Sequence, residues 1–386
     1  MERRPPRMNR LRLALILLFI SFVPFGRAAP PPAANAAPAS NSLLFLPIIT
    51  KPAPPPIRAV RVSYEDMAAS RPQVPAVRSQ LAAAGANMVG LAAGRPDWAY
   101  FKWATHPEMW SSGVQDTGID FLAADIVNFD FEHVNAVVDI FAPNYIAANP
   151  SSAALSYWGE PSTLQVSTAA LTAGPYHDLV LDMLQQIAAN YNVDSISITE
   201  LSYRIYGYGA DDLALYKAYT GASDWPRDSA GVILIDDPSI GQWRSAAVAG
   251  FLAEAAARVH PYGKELFMDV DVSWGDLANE GQKYGQHYPT ILNAVDRIVV
   301  WAYTDMAGYP ASYTADLAAY LAARYADRQV IISVGMWGPG TAIITPQTLE
   351  TAVTSAAAGG IPHTWITPSH LMTAAHWAAL TTAWGN

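Results

Sequence analysis

Three observations predict an α/β fold for this chain, a single (β/α)8 TIM barrel with enlarged βα loops. Short apolar, strand-like runs alternate with helix-like segments from Ile57 onward. Eight such strands fit between Val60 and Ile366, enough to close one barrel. Several of them run into carboxylates and aromatic residues, and the C-terminal ends of barrel strands are where this architecture keeps its chemistry.

The barrel is expected to occupy residues 57–386. Residues 1–28 read as a secretory signal: Arg3, Arg4, Arg7, Arg10 and Arg12 form a basic region, and Leu13 to Phe25 an apolar one. Gly26-Arg27-Ala28-Ala29 then supplies small residues for cleavage. The alternative is an uncleaved anchor, which the apolar run is short for, since a spanning helix needs about 20 residues. Residues 29–56, with Pro30-Pro31-Pro32 and Pro54-Pro55-Pro56, read as a Pro/Ala-rich linker. Leu43 to Lys51 is either a small docked strand or part of that linker.

Within the barrel, Val60 to Tyr64 is the first strand, followed by a helix from Val74 to Ala84 that Gly85 closes. Asn87 to Leu91 and Ala136 to Ala142 are the second and third strands. His177 to Asn190 carries Val180, Met183, Leu184 and Ile187 at the i, i+3, i+4, i+7 spacing of a helix with one buried face. Ser195 to Thr199 is the fourth strand, and Trp243 to His260 a long helix ended by Pro261 and Gly263. The remaining strands are Leu266 to Val272, Arg297 to Tyr303, Val330 to Val334 and His363 to Ile366. Helices fall at Thr314 to Ala326 and Thr348 to Ala358.

Composition narrows the partner. Apolar residues make up 51% and charged residues 15%, the balance of a large buried core. The full chain has a formal charge of -10. The first 28 residues hold six Arg and one Glu, so the remainder has 17 basic and 32 acidic residues, a charge of -15. Such a chain is a poor nucleic-acid binder and fits a neutral or cationic polymer better. Cysteine is absent, so neither a disulfide nor a lipid-modified Cys is available. The 12 Trp and 19 Tyr suit both a core and stacking on sugar rings. A monomer that binds a carbohydrate polymer or oligosaccharide, needs no cofactor and does not insert its mature domain in a membrane is expected.

Tyr191-Asn-Val-Asp-Ser-Ile-Ser-Ile-Thr-Glu-Leu-Ser-Tyr203 is the most informative stretch: a short strand that ends at Glu200 and opens into a Tyr-rich loop. On the fifth strand, period two puts Asp269, Asp271 and Ser273 on one face and Val270 and Val272 on the other. Outer faces are covered by helices, so the polar set is expected at the barrel mouth. The sixth strand likewise aligns Trp301, Tyr303 and Asp305. Glu200, Asp271 and Asp305 are therefore the candidate catalytic residues. Tyr203, Trp274, Trp301, Tyr303, Trp337 and Asp269 are the candidate substrate-binding residues. Carboxylates ringed by flat aromatics are what glycosidic hydrolysis requires: an acid for the leaving oxygen, an opposed base or nucleophile, and platforms for the sugar. Each residue also has a structural reading; for Glu200 it is a structural acid paired with Arg204 or Arg244.

Val193-Asp-Ser-Ile-Ser-Ile-Thr-Glu-Leu-Ser-Tyr203 resembles the strand-four signature of glycosyl-hydrolase-like barrels, Val-Asp-Gly-Ile-x-hydrophobic-Asp-Asp-x-x-Tyr. These barrels include bacterial families acting on exopolysaccharides such as partially deacetylated poly-N-acetylglucosamine. The resemblance covers roughly residues 170–275, and the rest of the chain by architecture. Asp194 matches the first Asp, Ser195 replaces the Gly, Thr199 stands at the first of the paired Asp positions, and Glu200 at the second. The resemblance implies Glu200 as the acid. Chitinase-like barrels carry aspartates two and four residues before their Glu; here Ile198 and Ile196 stand there, so substrate-assisted chemistry of that kind is not expected.

The reading that follows is a secreted glycoside hydrolase. One alternative is a catalytically inactive glycan-binding barrel at the cell surface, suggested by Thr199 in place of a second acid. Another is a metal-dependent hydrolase using Asp269, Asp271 and His287. It lacks any His-x-x-x-His or His-x-x-Glu-His spacing among the eight His, and no metal is expected.

Overall fold

The computed structural model describes residues 54–63, 73–326 and 328–385. The expected signal peptide and nearly all of the linker lie outside the described residues. Eight strands, β1 (Arg58–Val62), β2 (Met88–Arg95), β3 (His133–Asp139), β4 (Ser195–Thr199), β5 (Glu265–Val270), β6 (Arg297–Trp301), β7 (Val330–Gly335) and β8 (Thr364–Thr367), pair in chain order, every pairing parallel. β8 pairs with β1 through Ala59 opposite Trp365, which closes the barrel. The expected fold class is the observed one. Several strands end two or three residues before the sequence suggests: β3 at Asp139 rather than Ala142, β5 at Val270 rather than Val272, β6 at Trp301 rather than Tyr303. The chain leaves the ladder at the mouth, so Asp271 and Tyr303 lie on the first loop residues.

Among the helices of the described residues, eight serve as the outer layer: α1 (Val74–Ala84), α2 (Phe121–Phe129), α3 (Pro175–Asn190), α4 (Pro238–Val259), α5 (Tyr288–Leu292), α6 (Thr314–Ala322), α7 (Pro346–Ala358) and α8 (Ala374–Ala383). On α3 the face read from the spacing, Val180, Met183, Leu184 and Ile187, is fully buried. Gly85 ends α1 at φ 77°, a left-handed conformation that glycine adopts without steric cost. At the start of α4, Asp237 accepts a hydrogen bond from Ser239 N–H, satisfying one of the free donors of the first turn.

Successive strand residues face opposite ways. Outward, Ile196, Ile198, Met268, Val270, Ile298 and Val300 join the large apolar layer under the helices. Inward, Phe267, Val299, Ile331 and Trp365 plug the lower barrel. Gly90 makes room for that plug: a Cβ there would lie 2.5 Å from Trp365 Cζ2. Above the plug the inner face turns polar, with Asn135 donating to Ser195 Oγ (2.7 Å) and Ser197, Thr199 and Asp269 buried. Two longer excursions build the mouth. The loop after β3 forms an antiparallel hairpin (Ala153–Leu155 with Pro161–Val166), and the loop after β4 carries an extra helix, Ala210–Thr220. Among the described residues no helix is long and apolar enough to cross a membrane.

Candidate active site

Glu200 is the first residue beyond β4, and its φ of 65° is left-handed. A residue with a Cβ gives up roughly 1–2 kcal/mol in that region, so the surrounding structure must hold it there. The chain on either side is tied down: Ile140 N–H donates to Thr199 O (3.2 Å) and the Gln286 amide donates to Leu201 O (2.7 Å).

Three confluent cavities open at the mouth, and Glu200 lines all of them. One, of about 300 Å³, is walled by Arg61, Arg95, Tyr100, Asp139, Trp337 and His370. A second, about 540 Å³, is walled by Arg61, Asp271, Trp274, Tyr284, Trp301, Tyr303 and Trp337. The third, about 370 Å³, runs between the hairpin and the β4 loop past Gln165, Ser202, Arg204, Tyr206, Asp271 and Trp301. The aromatic wall is continuous: Trp301 stacks on Tyr303 (5.5 Å, 13°), and Tyr303 meets Trp337 at 5.4 Å. Gly335 is required beneath it, since a Cβ there would stand 2.6 Å from the Tyr303 ring.

The electrostatics follow from crowding acids into a half-dry space. Burial pushes Glu200 up to about 7; Asp139, Asp269 and Asp271 push the same way and Arg61 opposes them. Asp139 is raised by burial against the Phe141 N–H that it accepts (2.8 Å) and against Arg61 and Arg95. Burial raises Asp269 to about 6, with Arg61, the Trp301 indole N–H (3.2 Å) and the Thr199 hydroxyl opposing. Asp271 is also raised by burial, Ser202 and Lys283 working against it. A carboxyl lifted to about 7 is suited to hold a proton for delivery near neutral pH.

Neither arginine suggested as a structural partner of Glu200 is one. Arg204 forms a two-point pair with Asp236 (3.2 Å for each contact). Arg244 is fully buried under the loop and donates to the carbonyls of Tyr206 (2.6 Å) and Gly207 (3.2 Å).

Glu200, Asp271, Trp274, Trp301, Tyr303 and Trp337 are brought together on the cleft walls. Three other candidates sit elsewhere. Asp269 lies a layer deeper, below the cavities, bonded to Trp301. Asp305 packs toward Gly338 and lines none of the three cavities. Tyr203 is buried, 2% exposed, against the Arg244 loop, so its ring offers no face to a sugar. His287, considered above as a metal ligand, bonds Thr290 (2.8 Å). Among the described residues no group of three or more His, Asp or Glu is placed to hold a metal ion. Sequence reasoning misses Asp139 and Arg61. Asp139 carries the signal used for Glu200, an acid at the end of an apolar strand, but the apolar run continues past it to Ala142. Its register partner is Thr199, which puts it level with the base of Glu200.

No protein-family model matches the chain, and no curated protein matches it. Solved structures do. The PgaB (BpsB) glycoside hydrolase domain from Bordetella bronchiseptica is similar with a TM-score of 0.64 and 17% identity, over 85% of this chain and 98% of that one. Alpha-L-fucosidase isoenzyme 2 from Paenibacillus thiaminolyticus aligns with a TM-score of 0.59 and 15% identity, over 85% of this chain and 49% of that one. A chitinase from Chromobacterium violaceum gives a TM-score of 0.51 and 11% identity, over 86% and 100%. At these identities the likeness shows the fold alone: this chain is a TIM barrel.

Proposed function

We propose that the protein is a secreted glycoside hydrolase that cleaves an extracellular polysaccharide at the barrel mouth. The observation that carries this is Glu200, common to all three cavities and held protonated close to neutrality. It acts as general acid on the leaving glycosidic oxygen. A second carboxylate, Asp271 or Asp139, faces the same space as base or nucleophile for the oxocarbenium-like carbon. Trp274, Trp301, Tyr303 and Trp337 hold the sugar rings. Three acids line the cleft, Glu200, Asp139 and Asp271, with Asp269 beneath it; on a chain of charge -15 after residue 28 they favour a neutral or amino-sugar polymer over an acidic one. Residues 1–28 direct export and are removed, and residues 29–56 act as a tether.

Reducing-end release from a panel of neutral and hexosamine polysaccharides tests the reading, with Glu200→Gln, Asp271→Asn and Asp139→Asn in parallel. Loss in Glu200→Gln, and in one of the other two, assigns the pair. Retained glycan binding with no cleavage by any form supports the inactive binding barrel, which Thr199 at the first of the paired acid positions favours.

A further inference from the structure

Gln286 lies on the loop after β5, outside the cavities, and its side chain is completely buried. Its Oε1 accepts the Asp271 N–H at 2.7 Å, and its Nε2 donates to Leu201 O at 2.7 Å. One amide thus spans the two strand ends, touching the residue after Glu200 and Asp271 itself. The same loop adds two further ties. Tyr288 Oη donates to Asp271 O (2.5 Å), and Tyr203 N–H donates to Tyr284 O (3.0 Å). The loop is itself pinned: a Cβ at Gly285 would lie 2.7 Å from Arg244 Cβ, and one at Gly281 2.7 Å from the Tyr288 ring.

We infer that Gln286 is a positioning residue that sets the separation and orientation of Glu200 and Asp271. This rests on the hydrolase reading for its catalytic meaning, not for its geometry. The position calls for glutamine. The group must accept from an N–H and donate to a carbonyl at once, in a fully buried space. Leucine does neither. An ionised glutamate turns an acceptor toward the Leu201 carbonyl and adds a negative charge beside two acids. A protonated glutamate recovers the donor.

The test uses the purified barrel with Gln286→Leu and Gln286→Glu, measuring kcat and KM on the cleaved polysaccharide across pH, with crystal structures of wild type and Gln286→Leu. Positioning predicts a fall in kcat of about ten- to a hundred-fold in Gln286→Leu with KM changed less than about two-fold, the signature of misplaced groups. It also predicts that Gln286→Glu regains activity toward acid pH, where the introduced carboxyl is protonated. In the Gln286→Leu crystal, Glu200 leaves its left-handed φ or its carboxyl shifts relative to Asp271. Unchanged kcat in both variants, or carboxyls that superpose on wild type, overturns the inference. If wild type cleaves nothing, the hydrolase reading fails while the crystallographic comparison still decides the clamp.

Discussion

The two faces of the barrel strands obey different rules. On β4 the outward residues Ile196 and Ile198 are fully buried among other apolar side chains. The inward ones, Ser195, Ser197 and Thr199, are as deeply buried yet polar, and Ser197 Oγ finds no hydrogen-bond partner among the described residues. Outward residues are set by packing against helices, where volume is what matters. Inward residues near the mouth sit under the cleft, where an ionisable group next door matters more than local stability. Equal burial therefore does not mean equal purpose.

The largest contrast is expected from Glu200→Gln. Hydrolysis falls about a thousand-fold or more, since a general acid and the field around it are lost together. Because its carboxyl is raised to about 7, the folded state holds this proton more tightly than the unfolded state does. Raising the pH thus destabilises the fold progressively from about pH 4.5 to 7. Thermal melts at pH 8 should find Glu200→Gln more stable by about 1–2 kcal/mol, and at pH 4 equal to wild type. In wild type, kcat/KM should decline along an alkaline limb centred near pH 7 as Glu200 ionises; a flat profile through pH 8 would remove Glu200 as the acid.

On the outer face, Ile198→Ala should cost about 2–5 kcal/mol in denaturant unfolding, with kcat per folded molecule unchanged. A smaller effect is expected on the wall: Trp337→Ala, a ring 37% exposed, should raise KM about ten-fold with kcat nearly constant. Smallest of all is Ser197→Ala, beside Ile198 in sequence. It deletes a buried hydroxyl with no partner among the described residues, so stability should move by less than about 1 kcal/mol, toward greater stability. A large loss there would mean the inner face is packed as tightly as the outer.

This asymmetry also explains what is legible in the sequence. Periodicity reports the apolar face, so all eight strands and the buried stripe of α3 can be read from spacing. Strand-end acids can be read in part: Glu200 and Asp271 stand where an apolar run stops, and they share the cleft. Asp139 does too, but Ile140, Phe141 and Ala142 prolong the apolar run and disguise the strand end. Tyr203 escapes such reading because its environment depends on Arg244, far along the chain, whose guanidinium binds loop carbonyls that leave no pattern in the sequence. Gln286 is silent for the same reason. A single amide carries no periodicity, and its partners are backbone atoms.

The left-handed backbone at Glu200 has an evolutionary consequence. Glycine or asparagine would sit there with less strain and without a buried acid to keep protonated. Folding alone would therefore favour replacing this residue; on the proposed hydrolase reading, selection for cleavage is what retains it. A lineage released from that selection would drift by a single stabilising step to a barrel that keeps its aromatic trough and loses its chemistry.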